Sequence, residues 1–238
     1  VGLILANVSK SRIFTEGLRT MRGFQNLSMR SAGVILGLFL TANALLGADS
    51  TRYQGVPRGS SVKIDGTSTV HDWTVEGKLI GGFMDVDGEF PSDLSVATVP
   101  ELTSPPKVNV QIPVRSIKSG KSTMDSVMHT AMKQSKHRMI SFSLTKMDPS
   151  SASRKAGDPL RYNAEGDLTV AGVKKHVKMP VDLTSHGAGG LRITGKTKVK
   201  MTDFGITPPA PKIALGLIKT GDEVDITFEW ITKRRQKK

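Results

Sequence analysis

The feature that most constrains this chain is an alternation of apolar and polar residues that restarts eight times between residues 60 and 232. In "SVKIDGTSTV", Val62, Ile64, Gly66, Ser68 and Val70 share one face; in "WTVEGKLIG", Trp73, Val75, Gly77 and Leu79 do. "VNVQIPV", "ISFSLTKM", "YNAEGDLTV", "KHVKMPVDL", "LRITGKTKVKM" and "EVDITFEWI" repeat the pattern. Successive side chains of a strand point to opposite faces, so period two marks a strand with one face buried. Repeated at this short spacing, it predicts an antiparallel sheet, sandwich or barrel. Ala171-Gly172-Val173, between two of the runs, predicts a hairpin.

A single segment has helical period. Met124, Met128, Ala131 and Met132 fall at i, i+4, i+7 and i+8 and form one apolar face, which predicts a helix over 123–136. Ser122 is the expected N-cap, with Asp125 as the acid of a capping box. Lys133, Lys136 and His137 suit the negative end of that helix. Just before it stands "SGKST" (119–123), which resembles a phosphate-binding loop. That loop needs a glycine five residues before Gly120, where this chain has Arg115, and it needs a parallel sheet. "SGKST" is therefore read as turn residues and a helix start. "PSDLSVATVPELTSPP" (91–106) and "DPSSASRKAGDP" (148–159) read as long connections.

"MRSAGVILGLFLTANALLGADS" (29–50) has a positive end, a 15-residue run of low polarity and small residues after it, the layout of a secretory signal peptide. Residues 1–48 are expected to be a leader, with Met21 or Met29 as start and cleavage after Ala44 or Ala48. Residues 49–59 are expected to be a linker, 60–232 the folded domain and 233–238 a basic tail. Export would place the domain in a periplasm or outside the cell. With no cysteine in the chain, disulfides and thiolate metal sites are excluded, and the core alone must hold the fold. The formal charge is +13, and five of the last six residues, "KRRQKK", are cationic. A tail of that kind fits an anionic envelope surface. Nucleic acid is not expected, given the leader and the few aromatics.

No catalytic or metal constellation stands out. The five histidines, His71, His129, His137, His176 and His186, form no H-x-H or H-E-x-x-H pair. There is no G-x-S-x-G elbow, and no local pair of carboxylates. An enzyme reading would rest on His71, Asp72 or Asp203. Neither a catalytic residue nor a cofactor is expected.

"GDLTVAGVKKHVKMPV" (166–181), "TDFGI" (202–206) and "GDEVDITFEW" (221–230) resemble the YceI-like family of secreted bacterial proteins. "IDGTSTVHDWTVEG" (64–77), "VNVQIPVRSIKSGKSTMD" (108–125) and "HTAMKQSKHRMISFSL" (129–144) are similar to it as well. The resemblance implies an all-β fold, an antiparallel lipocalin-like eight-stranded barrel with one short helix packed beside the opening. It also implies an interior that holds a long isoprenoid lipid, such as a polyprenyl compound or a quinone tail. Strand parity then selects the expected apolar lining: Trp73, Val75, Leu79, Val110, Ile112, Phe142, Leu168, Met179, Phe204 and Phe228. From the helix it adds Met124, Met128 and Met132, with interior glycines leaving room for the chain. A slip of one residue would invert each strand's choice. The competing expectation is an envelope structural protein with a packed barrel. Edge strands and the exposed helix would also allow a homodimer.

Overall fold

The computed structural model describes residues 50–56, 58–88, 90, 99–150, 154–210 and 218–235. The expected leader, and residues 236–238 of the tail, lie outside the described residues. Eleven strands and one helix follow in chain order: β1 (Ser50–Gly55), β2 (Ser61–Ser68), β3 (Trp73–Gly77), β4 (Gly81–Asp87), β5 (Lys107–Pro113) and β6 (Ile117–Lys118). Then come α1 (Ser122–Ala131), β7 (Met139–Pro149), β8 (Leu160–Val170), β9 (Val173–His186), β10 (Gly190–Lys200) and β11 (Thr220–Arg235).

Eight strands close a ring in the order β1-β4-β5-β7-β8-β9-β10-β11, and β11 pairs back onto β1. Every ladder is antiparallel, as the alternating pattern predicts. β11 divides one edge between two partners: residues 220–229 pair with β2 and residues 232–235 with β1. β3 and β6 continue outward from β2, so the sheet is extended at one end of the barrel. The β8–β9 hairpin turns on Ala171 and Gly172, both at positive φ (51° and 84°), as a two-residue turn of primed type requires.

Closure depends on a strand that hydrophobic alternation does not reveal. β1, "STRYQG", lies inside the expected linker of residues 49–59 and buries Tyr53 as its sole large apolar side chain. The barrel therefore begins at Ser50 rather than at residue 60. At the other terminus β11 runs through Lys233 and Arg234 to Arg235, which pair with Gln54, Tyr53 and Arg52. Half of the expected basic tail is barrel wall.

The helix is also shorter than its pattern. α1 ends at Ala131 because the chain closes a left-handed cap: the N–H of Lys133 donates to Thr130 and that of Gln134 to His129. This is the paired bonding of a Schellman motif, with Lys133 at φ 54° where glycine is usual. Lys136 and His137 thus stand beyond the helix. Its N-cap is Lys121, without a side-chain bond, rather than Ser122. Asp125 instead accepts the Ser119 N–H at 2.6 Å and the Ser119 hydroxyl at 2.8 Å, tying "SGKST" to the helix. β6, the strand before that turn, is antiparallel to β3, so no phosphate-loop context exists.

Candidate ligand-binding cavity

The inward faces of the strands leave a cavity of about 580 Å³. Pockets that bury most of a small-molecule ligand run to about 300–1,000 Å³, so this one is large enough for a ligand of substantial length. One end is sealed. There Tyr53, Phe90 and Tyr162 follow one another in a tilted and then an edge-to-face contact, with ring centroids 6.3 and 6.0 Å apart. Tyr162 is fully buried, its hydroxyl donates to the carbonyl of Pro100 at 3.0 Å, and burial pushes its pKa up to about 12.

The opposite end is open. The polar side chains along the wall are Ser68, His71, Lys121, Thr123, Thr197 and Thr220, and His71, Lys121 and Thr123 are exposed. They mark a mouth between the β2–β3 turn, the start of α1 and the start of β11. Among the described residues no carboxylate lines the cavity. His71 donates from Nδ1 to the carbonyl of Asp72 at 2.8 Å; neither Asp72 nor Asp203 lies on the wall. Among the described residues no group of three His, Asp or Glu side chains is placed to hold a metal.

Of the expected lining residues, Trp73, Val75, Val110, Ile112, Phe142, Leu168, Met179, Phe204 and Phe228 all reach the cavity. So do Met124, Met128 and Met132, which make α1 one side of the wall. The helix is held there by His129, whose Nε2 donates to the carbonyl of Ile117 at 3.0 Å, and by the Asp125–Ser119 bonds. Leu79 is the exception: it is 45 % exposed and does not line the cavity. β3 stops at Gly77, the parity of the strand is lost in the turn, and Ile80 turns inward instead. Met84, Leu183, Ile193 and Trp230 also line the wall, beyond the expected set. Ile193 and Trp230 do stand on alternating faces and were legible; Met84 sits in "GGFMDVD", where a glycine pair hides the period.

Interior glycines do not open the cavity directly. A Cβ on Gly195 would stand 2.6 Å from Cζ of Phe228, its partner across β10–β11, and one on Gly166 2.5 Å from Cζ of Phe142. Gly66 is covered in the same way by the ring of Trp73. Each ring lies over a glycine of the neighbouring strand, an arrangement that rescues the missing side chain. The rings lie back against the wall, and the room is gained at the centre of the barrel.

Fold and cavity together define a closed lipocalin-like barrel with an apolar interior, a mouth at one end and a methionine-lined helix in its side. The chain belongs to the YceI-like family, whose domain matches residues 53–231. A UPF0312 protein of Pectobacterium atrosepticum is 32% identical over 138 residues, 54% of this chain and 64% of that relative, so the match spans just under two thirds of the relative's length. Among solved structures, Burkholderia cenocepacia BcnA superposes with a TM-score of 0.56 at 18% identity, covering 75% of this chain and 99% of that one. A polyisoprenoid binding domain from Saccharophagus degradans, implicated in plant cell wall breakdown, superposes with a TM-score of 0.54 at 10% identity. It covers 77% of this chain and 98% of its own. At these identities both structures agree with the chain in fold.

Proposed function

We propose that this protein is a non-catalytic binding protein for a long isoprenoid lipid, a polyprenyl compound or a quinone tail, which it carries or sequesters in the periplasm or outside the cell. The observation that carries the reading is the 580 Å³ cavity, whose wall is apolar except around the mouth. Burying about 600 Å² of hydrocarbon there would contribute roughly 15 kcal/mol gross at ~25 cal/mol per Å². Association and ordering costs remove a large share of that. Polar contacts at the mouth add on the order of 1 kcal/mol each, so the tail dominates affinity and head groups are tolerated loosely.

The polyisoprenoid binding domain that shares the fold supports the same ligand class. Among the described residues the wall has no carboxylate and His71 as its one imidazole, which supports binding without catalysis. The large open interior favours this reading over a packed structural barrel.

Mass spectrometry of an organic extract from the protein exported in its own host, beside native mass spectrometry, tests the proposal. One prenyl lipid or quinone per chain is the expected result. An empty chain that also fails to take up added long-chain isoprenoids would overturn it.

A further inference from the structure

We propose that the mouth end of the barrel is a docking face for an anionic phospholipid bilayer. This goes beyond the cargo reading, and the docking itself requires no cargo. Three large apolar side chains are exposed among the described residues, and two of them, Val70 (63 %) and Met139 (38 %), stand at the mouth end. Val70 occupies the β2–β3 turn between Ser68 and His71, both of which line the mouth. Met139 begins β7, whose first residues pair with the last of β8.

Cations surround these two side chains. Residues 114–138 carry six Lys or Arg against one acid, Asp125, and all six are exposed. Lys118 is paired with Asp125 at 3.6 Å, whereas Arg115, Lys121, Lys133, Lys136 and Arg138 have no carboxylate partner among the described residues. Lys219 completes the ring: its backbone exchanges hydrogen bonds with Thr69, beside Val70. The acids nearby are Asp72, Asp203, Asp222, which accepts from the N–H and hydroxyl of Thr202, and Glu223, which is paired with Lys198. On β8–β11 the cations are mixed: Arg161, Lys174, Lys178, Arg192 and Lys198 are paired with carboxylates, whereas Lys175, Lys196 and Lys200 have no carboxylate partner among the described residues.

An exposed apolar tip ringed by unpaired Lys and Arg matches the interfacial region of an anionic bilayer, where cations meet phosphates and short apolar groups enter the acyl boundary. Continuity with the mouth gives the face its use. An apolar chain leaving the bilayer here enters the cavity without crossing water. A soluble polyanion would match the charge and leave Val70 and Met139 without a role.

Vesicle flotation tests this in the full chain, so that residues 1–49 contribute equally to every variant. The probes are phosphatidylcholine vesicles with and without phosphatidylglycerol. The chain is expected to float with the anionic vesicles, less so as salt rises. The combined Lys136→Glu, Arg138→Glu, Lys219→Glu variant is expected to lose at least about a hundredfold in binding, at roughly fivefold for each cation removed and more for the anions added. Val70→Ser, which removes the apolar side chain without adding charge, is expected to weaken binding at unchanged salt dependence. Lys233→Glu with Arg235→Glu, at the sealed end, should bind as the parent does. Equal flotation of the two charge variants, equal binding to neutral vesicles, or retention on dextran sulfate without flotation would each overturn the proposal. The lipid content measured by mass spectrometry is a separate readout: an empty chain that floats retains the docking face and refutes the cargo.

Discussion

Lys133 and His176 show how single side chains in this barrel are constrained by backbone and charge. Lys133 holds φ 54° to close the cap of α1, a conformation that costs a non-glycine residue about 1 kcal/mol or more. Lys133→Gly is expected to raise stability by about 0.5–1 kcal/mol, the relief exceeding the added entropy of the unfolded chain. A urea midpoint that stays put or falls would refute the strain argument. His176 lies on the outer face of β9, with Nε2 3.2 Å from Glu165 and Nδ1 3.3 Å from Asp167. Both ring nitrogens must donate to satisfy these carboxylates, so the imidazolium is favoured and the pKa is raised, first by Glu165 and then by Asp167. Glu165 is correspondingly held low, by Lys178 first and by His176 second. A raised pKa in the folded state means that the stabilisation is complete below the unfolded value of about 6.5 and fades as pH rises through the folded value. The stability gap between the parent and His176→Gln should therefore shrink from pH 6 towards pH 8, and the His176 ring protons should titrate above 6.5 by NMR. A midpoint at or below 6.5 would contradict the geometry.

Glycine and ring pairs set the width of the cavity at the scale of the strand. Gly195 is crowded chiefly by the far end of Phe228, a side chain with the cavity to move into, and by Pro180 O at 3.0 Å. Gly195→Ala is expected to swing Phe228 inward at a cost of about 1–3 kcal/mol and to reduce the length of chain the cavity accepts. Gly166 faces the backbone carbonyl of Ser143 at 2.5 Å as well as Phe142, and that carbonyl has no such freedom. Gly166→Ala should cost distinctly more in a denaturant titration; equal costs would mean that ring contact alone decides. Strand parity made most of this wall legible, because a buried inner face forces the period on every long strand. The period failed where strands end or are too short to show it. Leu79 continues the pattern of β3 on paper, but the strand has stopped at Gly77. β1 and the last residues of β11 pair through their backbones while carrying mostly polar side chains, and hydrogen bonding leaves no mark in a hydrophobic pattern. The Schellman cap of α1 was hidden for a related reason, since a lysine stands where glycine would have announced it.

At the scale of the whole molecule, ring closure by β1 removes the exposed edges between β4 and β11 and makes an enclosed interior available. A barrel of eight strands has an interior that side chains are able to fill, so an unfilled one forgoes packing contacts. Ala164 is the place to test what that space is for. It is buried on β8, faces the cavity, and pairs with Met147 and Met179, two flexible side chains that also line the wall. Ala164→Phe adds a ring to the cavity without touching the mouth, the helix or the outer charges. If the space serves a lipid chain, the variant should fold with a melting temperature at least equal to that of the delipidated parent, because the ring restores dispersion contacts. It should also emerge from its host with its bound lipid lost. Bound lipid at the parental level in a well-folded variant would place the cargo outside the barrel. A melting temperature lowered by more than about 5 °C, the shift of roughly 1–3 kcal/mol in a domain of this size, would mean that the interior was already packed. That outcome would favour an envelope protein with a closed core.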